Sequence, residues 1–100
     1  MPASTPVILA PLAEADVRGI VQWYEQAQEE LGRAFLLALD ETITRISQRP
    51  KSFPLVLNDV RRASTRRFPY QLHYRLMPTY VHVIAVTHAA RNPQAWQDRA

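Results

Sequence analysis

The sequence predicts an α+β fold in which an antiparallel helical hairpin packs on a mainly antiparallel sheet. Between about residues 12 and 47, apolar side chains recur with the period of a helix, and from residue 60 they alternate with the two-residue period of strands. The predicted order is strand, helix, helix and three strands (β-α-α-β-β-β), followed by a short C-terminal helical tail. With 100 residues and 47% hydrophobic content, we expect residues 1–100 to form a single domain around one modest core.

The first half of the chain is predicted to form one strand and the helical hairpin. Val7 to Ala10 is a short apolar run, and Pro11 suits the first turn of a following helix. Residues at positions i, i+3, i+4 and i+7 mark a buried face on a helix from about Leu12 to Glu29: Val17, Ile20, Val21 and Tyr24. We interpret Leu31-Gly32 as a tight joint and expect a second helix after it, ending near Ser47. Because this connection is short, the two helices should run antiparallel.

The second half is predicted to form a loop and three strands. Pro50 and Pro54 mark a loop over residues 48–59, and the first strand is the arginine-rich run VRRASTRR at residues 60–67. A turn at Phe68-Pro69 leads to residues 70–77, whose alternation places four side chains on a packed face: Tyr70, Leu72, Tyr74 and Leu76. The side chains between them are expected on a polar face: Gln71, His73 and Arg75.

The last predicted strand, VHVIAV at residues 81–86, is apolar on both faces, which favours an interior position in the sheet. Simple alternation puts Val81, Val83 and Ala85 on one face and Ile84 and Val86 on the other. His88 and Arg91 follow this strand, where loops commonly carry functional groups. Asn92-Pro93 can begin a final helical turn, and we expect Trp96 to anchor the tail against the body.

The charges divide the chain into an acidic and a basic half. Residues 1–45 carry seven acids and three bases, a net charge of −4, whereas residues 46–100 carry nine bases and two acids, a net charge of +7. A cationic surface of this kind attracts nucleic acid, the ribosome or an acidic protein. Eleven of the twelve bases are arginine, which favours bidentate phosphate or carboxylate contacts and does not act as a proton acceptor near neutral pH.

Several classes of function lack their sequence signals. Three scattered histidines, without cysteine or an H-x-x-x-H spacing, predict no metal site, and two glycines exclude a glycine-rich phosphate loop. No G-x-S-x-G motif accompanies the serines. We therefore expect no cofactor. Within the N-terminal segment MPASTPVILAPLAEAD, the apolar run is too short for a signal peptide or a membrane span. We therefore expect a cytoplasmic protein with no membrane partner.

Two segments carry a family resemblance. RRFPYQLHYRL, followed by VIAVTHAARNPQAW, resembles the ParE/RelE superfamily of bacterial type II toxin–antitoxin toxins, and the helical segment WYEQAQEELGRAFLLALDETITRI is similar to the same superfamily. The resemblance spans nearly the whole chain. It implies a toxin that inhibits bacterial growth and is neutralised by a cognate antitoxin. Such antitoxins lay an extended or helical segment across the helical hairpin or the sheet, and Trp23, Tyr24 and Phe35 are the expected antitoxin anchors.

The resemblance implies two target classes and leaves open whether the chain is an enzyme. ParE-like toxins bind DNA gyrase without catalysis, and the expected target-binding residues are then Arg62, Arg66, Tyr70 and Arg91. RelE-like toxins cleave mRNA on the ribosome, which would give His88 the role of acid or base and Arg67 and Arg91 the role of phosphate ligands. This chain lacks the lysines typical of the RelE-like enzymes, which favours gyrase. A third alternative is a non-toxic module that binds an antitoxin.

The same residues also have structural interpretations. His88 could simply end a strand, and the arginines could form a solvated face in which some of them pair with acids of the helices: Glu14, Asp16, Asp40 or Glu41. Alternation puts Arg62 and Arg66 on the strand face that carries Tyr70 and Tyr74. His73 and His82 are most simply ordinary strand residues.

Overall fold

The computed structural model describes residues 4–100, and residues 1–3, which begin the stretch searched for a signal peptide, lie outside the described residues. Along the described chain, the helices and strands follow one another in this order: β1 (Val7–Leu9), α1 (Pro11–Ala27), α2 (Glu29–Gln48), β2 (Leu55–Leu57), β3 (Val60–Ser64), β4 (Tyr70–Leu76), β5 (Val81–His88) and α3 (Gln94–Gln97). The predicted α+β class and the order of its main elements are confirmed. No helix of residues 4–100 has the length and apolar character to span a membrane.

The sheet of the described residues has the strand order β1-β5-β4-β3-β2. Strands β2 to β5 pair with antiparallel neighbours, whereas β1 pairs with β5 in parallel, so the sheet is mixed and mainly antiparallel. A parallel pair needs a long crossover connection, and the helical hairpin lies within that connection. As predicted, β5 is an interior strand, because β1 and β4 flank it.

The joint of the hairpin lies earlier than predicted. Gln28, with an extended backbone (φ −154°, ψ 132°), separates α1 from α2, so Leu31 and Gly32 belong to α2. Gly32 has a packing role instead, because a Cβ at this position would lie 2.6 Å from Cγ of Glu25 and 3.3 Å from the carbonyl oxygen of Val21. The glycine therefore allows a close approach of the two helices.

Two strand predictions also need correction. Leu55–Leu57 forms β2 inside the predicted loop, and three residues are too few to show a period in the sequence. The arginine-rich strand ends at Ser64, not at residue 67. The hydroxyl of Thr65 donates to the carbonyl oxygen of Phe68 at 2.8 Å, which closes a turn that takes Arg66 and Arg67 out of the sheet.

The sheet has a larger and a smaller core, one on each face. Beneath the hairpin, buried apolar side chains from the helices and strands form the larger core, including Phe35, Leu72, Tyr74 and Val83. On the far face, Trp96 packs with Val60, Ile84 and Ala85 and stacks on His73 at a ring distance of 4.1 Å. The prediction that Trp96 anchors the tail is confirmed, and the expected polar face is therefore partly buried.

His73 is fully buried under Trp96, unlike an ordinary strand histidine. Neither ring nitrogen has a hydrogen-bond partner within residues 4–100. Burial, with a smaller contribution from the charge of Arg62, lowers the pKa of His73 to about 4. The far face is therefore built around an imidazole that is neutral at neutral pH.

Candidate functional site between helix α1 and strand β5

An open groove of about 570 Å³ runs between α1 and the end of β5. It is called the α1 groove below. Side chains from three separate parts of the chain line it, among them Asp16, Trp23, Tyr24, Tyr70, His88 and Arg91. The fold thus brings the two expected antitoxin anchors on α1 next to three residues that were expected to serve the target or catalysis.

A β-bulge in β5 decides which side chains reach the groove. Val83 pairs with Tyr74 and Ala85 with His73, so Ile84 is an extra residue on β5 with no counterpart on β4. Because the extra residue reverses the alternation, Ala85 joins Ile84 on the far face and Val86 joins the core beneath the hairpin. The predicted faces of Ala85 and Val86 are therefore wrong.

The same reversal turns His88 toward the helices. His88 pairs with Tyr70 across the strands, and the two rings meet edge to face with their centroids 5.3 Å apart. Without the bulge, alternation would direct His88 to the face of Trp96. One extra residue, four positions before the strand end, thus places His88 in the wall of the α1 groove.

An ion pair holds the backbone at the bulge. Oδ2 of Asp16 accepts from the Val86 N–H at 2.9 Å and from Nη1 of Arg99 at 2.6 Å, while Oδ1 accepts from Nη2 of Arg99 at 3.1 Å. Nη1 of Arg99 also donates to the carbonyl oxygen of Ile84 at 3.2 Å. The hydrogen bonds that Arg99 donates to Asp16 raise the pKa of Arg99, and both side chains are largely buried.

His88 is arranged as a hydrogen-bond donor. Its Nδ1 accepts from the Ala90 N–H at 3.0 Å, so the neutral ring carries its proton on Nε2. The Arg91 N–H donates to the carbonyl oxygen of His88 at 3.0 Å, which ties Arg91 to the same turn. Burial, together with Tyr24, raises the pKa of Tyr70, so its hydroxyl stays protonated at neutral pH. This arrangement suits binding of a polar or anionic group better than abstraction of a proton.

Trp23 stands at the rim of the groove on a base of packed aromatic rings. It is 65% exposed and meets Tyr24 edge to face at 5.4 Å. Tyr24 in turn contacts Phe68 at 5.2 Å and stacks with Phe35 at 6.0 Å. Phe35 is fully buried, so it supports this surface and does not present itself to a partner.

The arginines expected to form one target-binding cluster lie in separate places. Arg62 pairs with His73 across the strands, so it lies on the far face and not with Tyr70 and Tyr74, as alternation had suggested. The bulge in β5 does not change the faces of β3. The prediction was wrong because it continued the alternation of β3 through the turn that follows Ser64. Arg91 lies in the α1 groove, whereas Arg66 and Arg67 lie elsewhere.

Arg66 and Arg67 border a second groove of about 510 Å³ on the other flank of the hairpin, called the α2 groove below. Leu31, Leu37 and Phe68 contribute its apolar lining. Arg66 makes an exposed ion pair with Glu41 at 3.0 Å, which confirms the prediction that a helix acid pairs with one of these arginines. Arg67 has a left-handed backbone with φ 70°.

Comparison with known families gives the site its context. The family model described as the ParE toxin of the type II toxin–antitoxin system parDE matches residues 7–93. This chain belongs to the ParE toxin family. Two curated ParE relatives, both described as Toxin ParE2, come from Mycobacterium tuberculosis strains CDC 1551 / Oshkosh and ATCC 25618 / H37Rv. Each is 30% identical over 71 residues, which cover 71% of this chain and 68% of the relative.

A solved structure shares the ParE-family fold. It is described as the chromosomal ParDE TA system from P. aeruginosa and superposes with a TM-score of 0.75 at 16% sequence identity. The similarity covers 85% of this chain and 96% of that chain. At this identity, the comparison shows a common fold, and it agrees with the predicted ParE/RelE resemblance.

Sequence reasoning missed two features of the candidate site. Asp16 was expected to pair with an arginine, but its partner, Arg99, was not considered because it lies 83 residues away. The bulge at Ile84 leaves no signal in the sequence, because residues 83–86 are all apolar and are compatible with either face of the strand. A polar residue among them would have indicated which face is buried.

Proposed function

We propose that this ParE-family chain, acting as a single domain over residues 1–100 in the bacterial cytoplasm, inhibits growth by binding DNA gyrase and is neutralised by a cognate antitoxin. The α1 groove is the proposed contact surface for the target. The observation that carries the proposal is the convergence in this groove of an exposed Trp23 with the cation of Arg91 and the donor groups of Tyr70 and His88. An aromatic anchor beside an arginine is the composition of a protein-binding hot spot.

The proposed neutralisation is occupation of the same groove by the antitoxin. The solved ParE-like neighbour is described as a ParDE toxin–antitoxin system, which supports an antitoxin as a partner of this chain. An acidic antitoxin segment fits the basic half of the chain, and an apolar side chain on that segment would cover Trp23. In this arrangement, the antitoxin and gyrase exclude each other.

The second candidate is ribosome-dependent cleavage of mRNA. It is favoured by the position of His88 against Tyr70 in a groove that also contains Arg91. It is opposed by the hydrogen bond from the Ala90 N–H to Nδ1 of His88, which occupies the nitrogen that a general base would use. Arg67, a proposed phosphate ligand of this mechanism, lies in the α2 groove.

The deciding experiment compares two assays on purified toxin that is free of antitoxin: inhibition of DNA supercoiling by gyrase, and cleavage of mRNA in a bacterial cell-free translation reaction. We expect wild-type protein to inhibit supercoiling and leave the message intact. Arg91→Glu should weaken gyrase inhibition about tenfold or more, because it reverses a charge in the groove. Arg66→Glu tests whether the α2 groove contributes, and His88→Ala should retain most of the inhibition.

The matched control is Arg18→Glu, the same charge reversal at an exposed position of α1 that does not line the α1 groove. It should inhibit gyrase like wild type. Ribosome-dependent cuts that disappear in His88→Ala would instead establish the nuclease and refute the gyrase proposal.

A further inference from the structure

The Asp16–Arg99 ion pair lies where the edge of β5 loses its neighbouring strand. β1 pairs with β5 from Val7 opposite Val81 to Leu9 opposite Val83, and the Ala10 N–H then donates to the carbonyl oxygen of Val83 at 2.9 Å. Beyond this point the chain turns into α1, which starts at Pro11. The following stretch of β5 edge therefore needs hydrogen-bond partners other than β1.

The ion pair supplies those partners. Arg99 donates to the carbonyl oxygen of Ile84, and Asp16 accepts from the N–H of Val86. These two backbone groups flank Ala85, directly at the bulge. A bulge disrupts the regular ladder and leaves backbone groups to be satisfied in other ways. The two side chains, which are 83 positions apart in sequence, do this while they neutralise each other.

We propose that Asp16 and Arg99 are positioning residues for the α1 groove, because their ion pair stabilises the bulged register of β5 that turns His88 against Tyr70. The alternative is a strand without the bulge, in which Thr87 would lie beside Tyr70 and His88 would lie on the face of Trp96. Arg99 does not line the groove, so it acts on the groove through β5. The effect on target binding rests on the function proposed above, whereas the effect on His88 does not.

The test uses two charge-neutralising variants, Arg99→Gln and the isosteric Asp16→Asn, each with a matched control. Arg75→Gln and Asp59→Asn are the controls, because Arg75 and Asp59 also form an arginine–aspartate pair, at 3.3 Å and with Asp59 well exposed. Circular dichroism and thermal unfolding establish that each variant is folded. NMR then measures the nuclear Overhauser contacts between the rings of His88 and Tyr70, and a binding assay measures affinity for purified gyrase.

In folded Arg99→Gln and Asp16→Asn, we expect the His88–Tyr70 contacts to weaken or disappear. The affinity for gyrase should fall about tenfold, because the change of register also displaces Arg91, whose N–H is bound to the carbonyl oxygen of His88. Both controls should retain the contacts and the affinity. If either groove variant fails to fold, Arg99→Lys takes its place, since lysine keeps the cation but lacks the fork that reaches both Asp16 and Ile84.

Three results would overturn the proposal: His88–Tyr70 contacts that persist in both groove variants, equal loss of these contacts in the controls, or a loss of gyrase affinity with the contacts intact. The last result would mean that the pair touches the target directly. If the wild-type protein does not bind gyrase, the proposed function fails, and the NMR comparison still decides whether Asp16 and Arg99 position His88.

Discussion

The α1 and α2 grooves lie on opposite flanks of the helical hairpin and have similar volumes, about 570 and 510 Å³, but they are built differently. The α1 groove is lined by three separate parts of the chain, and Asp16 in its lining binds Arg99, 83 positions away in sequence. The α2 groove depends on an exposed helix surface and a turn that carries Arg66 and Arg67. The ion pair between Arg66 and Glu41 in this groove is largely solvated.

This difference suggests a division of roles between the two flanks. Solvated arginines beside a helix attract an acidic partner over a distance and accelerate its association, but each contributes little to the final affinity. A fixed groove with an aromatic anchor contributes more to the lifetime of the complex. The α1 groove is therefore where we expect mutations to have large effects, and the α2 groove is where we expect small ones.

A fall in pH should have the largest effect, and we expect it to act on the stability of the structure next to the α1 groove. His73 stacks on Trp96 of the tail that carries Arg99, whereas the α2 groove is lined by α2 and by residues 66–68. Because the pKa of His73 in the fold, about 4, is below its ordinary value of 6.5, the neutral ring contributes stability that is complete above pH 6.5 and is lost as the pH falls toward 4.

The loss attributable to His73 is on the order of 3 kcal/mol of unfolding free energy between pH 7 and pH 4. Urea unfolding of the wild type and of His73→Phe at both pH values measures it, because phenylalanine keeps an aromatic ring under Trp96 but does not titrate. An equal loss in His73→Phe would assign the acid sensitivity to the carboxylates.

Removal of an acid from each flank should have unequal effects on stability. Asp16→Ala should lower the unfolding free energy by about 2 kcal/mol, a value between those of exposed and fully buried ion pairs. Glu41→Ala, which breaks the exposed pair with Arg66, should change it by less than about 0.5 kcal/mol. Chemical denaturation measures both, and similar losses would contradict the contrast between the grooves.

Removal of an exposed apolar side chain from each flank should have unequal effects on antitoxin binding. Trp23 is 65% exposed and Leu37 is 67% exposed, so the two are matched in accessibility. Trp23→Ala should weaken binding of the cognate antitoxin by about 2 kcal/mol, or roughly 30-fold, and Leu37→Ala by less than about threefold. Calorimetric titration measures both affinities. A larger effect of Leu37→Ala would indicate that the antitoxin binds in the α2 groove.

The smallest expected effect is a gain in stability at the turn of the α2 groove. Arg67 has a left-handed backbone, which is unfavourable for residues other than glycine. Arg67→Gly should relieve this strain and raise the unfolding free energy by about 0.5 kcal/mol, since part of the gain is offset by the greater freedom of glycine in the unfolded chain. Thermal unfolding measures the change, and a decrease would show that the arginine side chain makes a stabilising contact.

Sequence reasoning predicted the parts of the fold that rest on a clear period. The buried stripe of α1, the alternation of β4 and the anchoring of Trp96 are of this kind, because each depends on nearby residues and on the exclusion of apolar surface from water. β2 was missed because three residues carry no period. Gly32 was misread as a joint, since a glycine that allows close helix packing has the same local signature as one that ends a helix.

The candidate site was predictable in its residue types but not in its geometry. Trp23, Tyr70, His88 and Arg91 were identified, but their convergence depends on the register of an apolar strand, which no polar residue specifies. The prediction that Arg62 and Arg66 lie together with Tyr70 was wrong. The chain turns after Ser64, so the alternation of β3 does not continue to Arg66.

The extra residue at Ile84 makes the length of β5 as important as its composition. Successive side chains of a strand alternate between the two faces of the sheet. The bulge adds one residue, so every side chain after it lies on the opposite face from the one it would otherwise occupy. Removal of one residue near position 84 would keep the strand hydrophobic and restore a regular ladder. It would also place the side chain of His88 on the face of Trp96, away from the α1 groove. The number of residues in β5, as well as their character, therefore sets which face of the sheet carries His88.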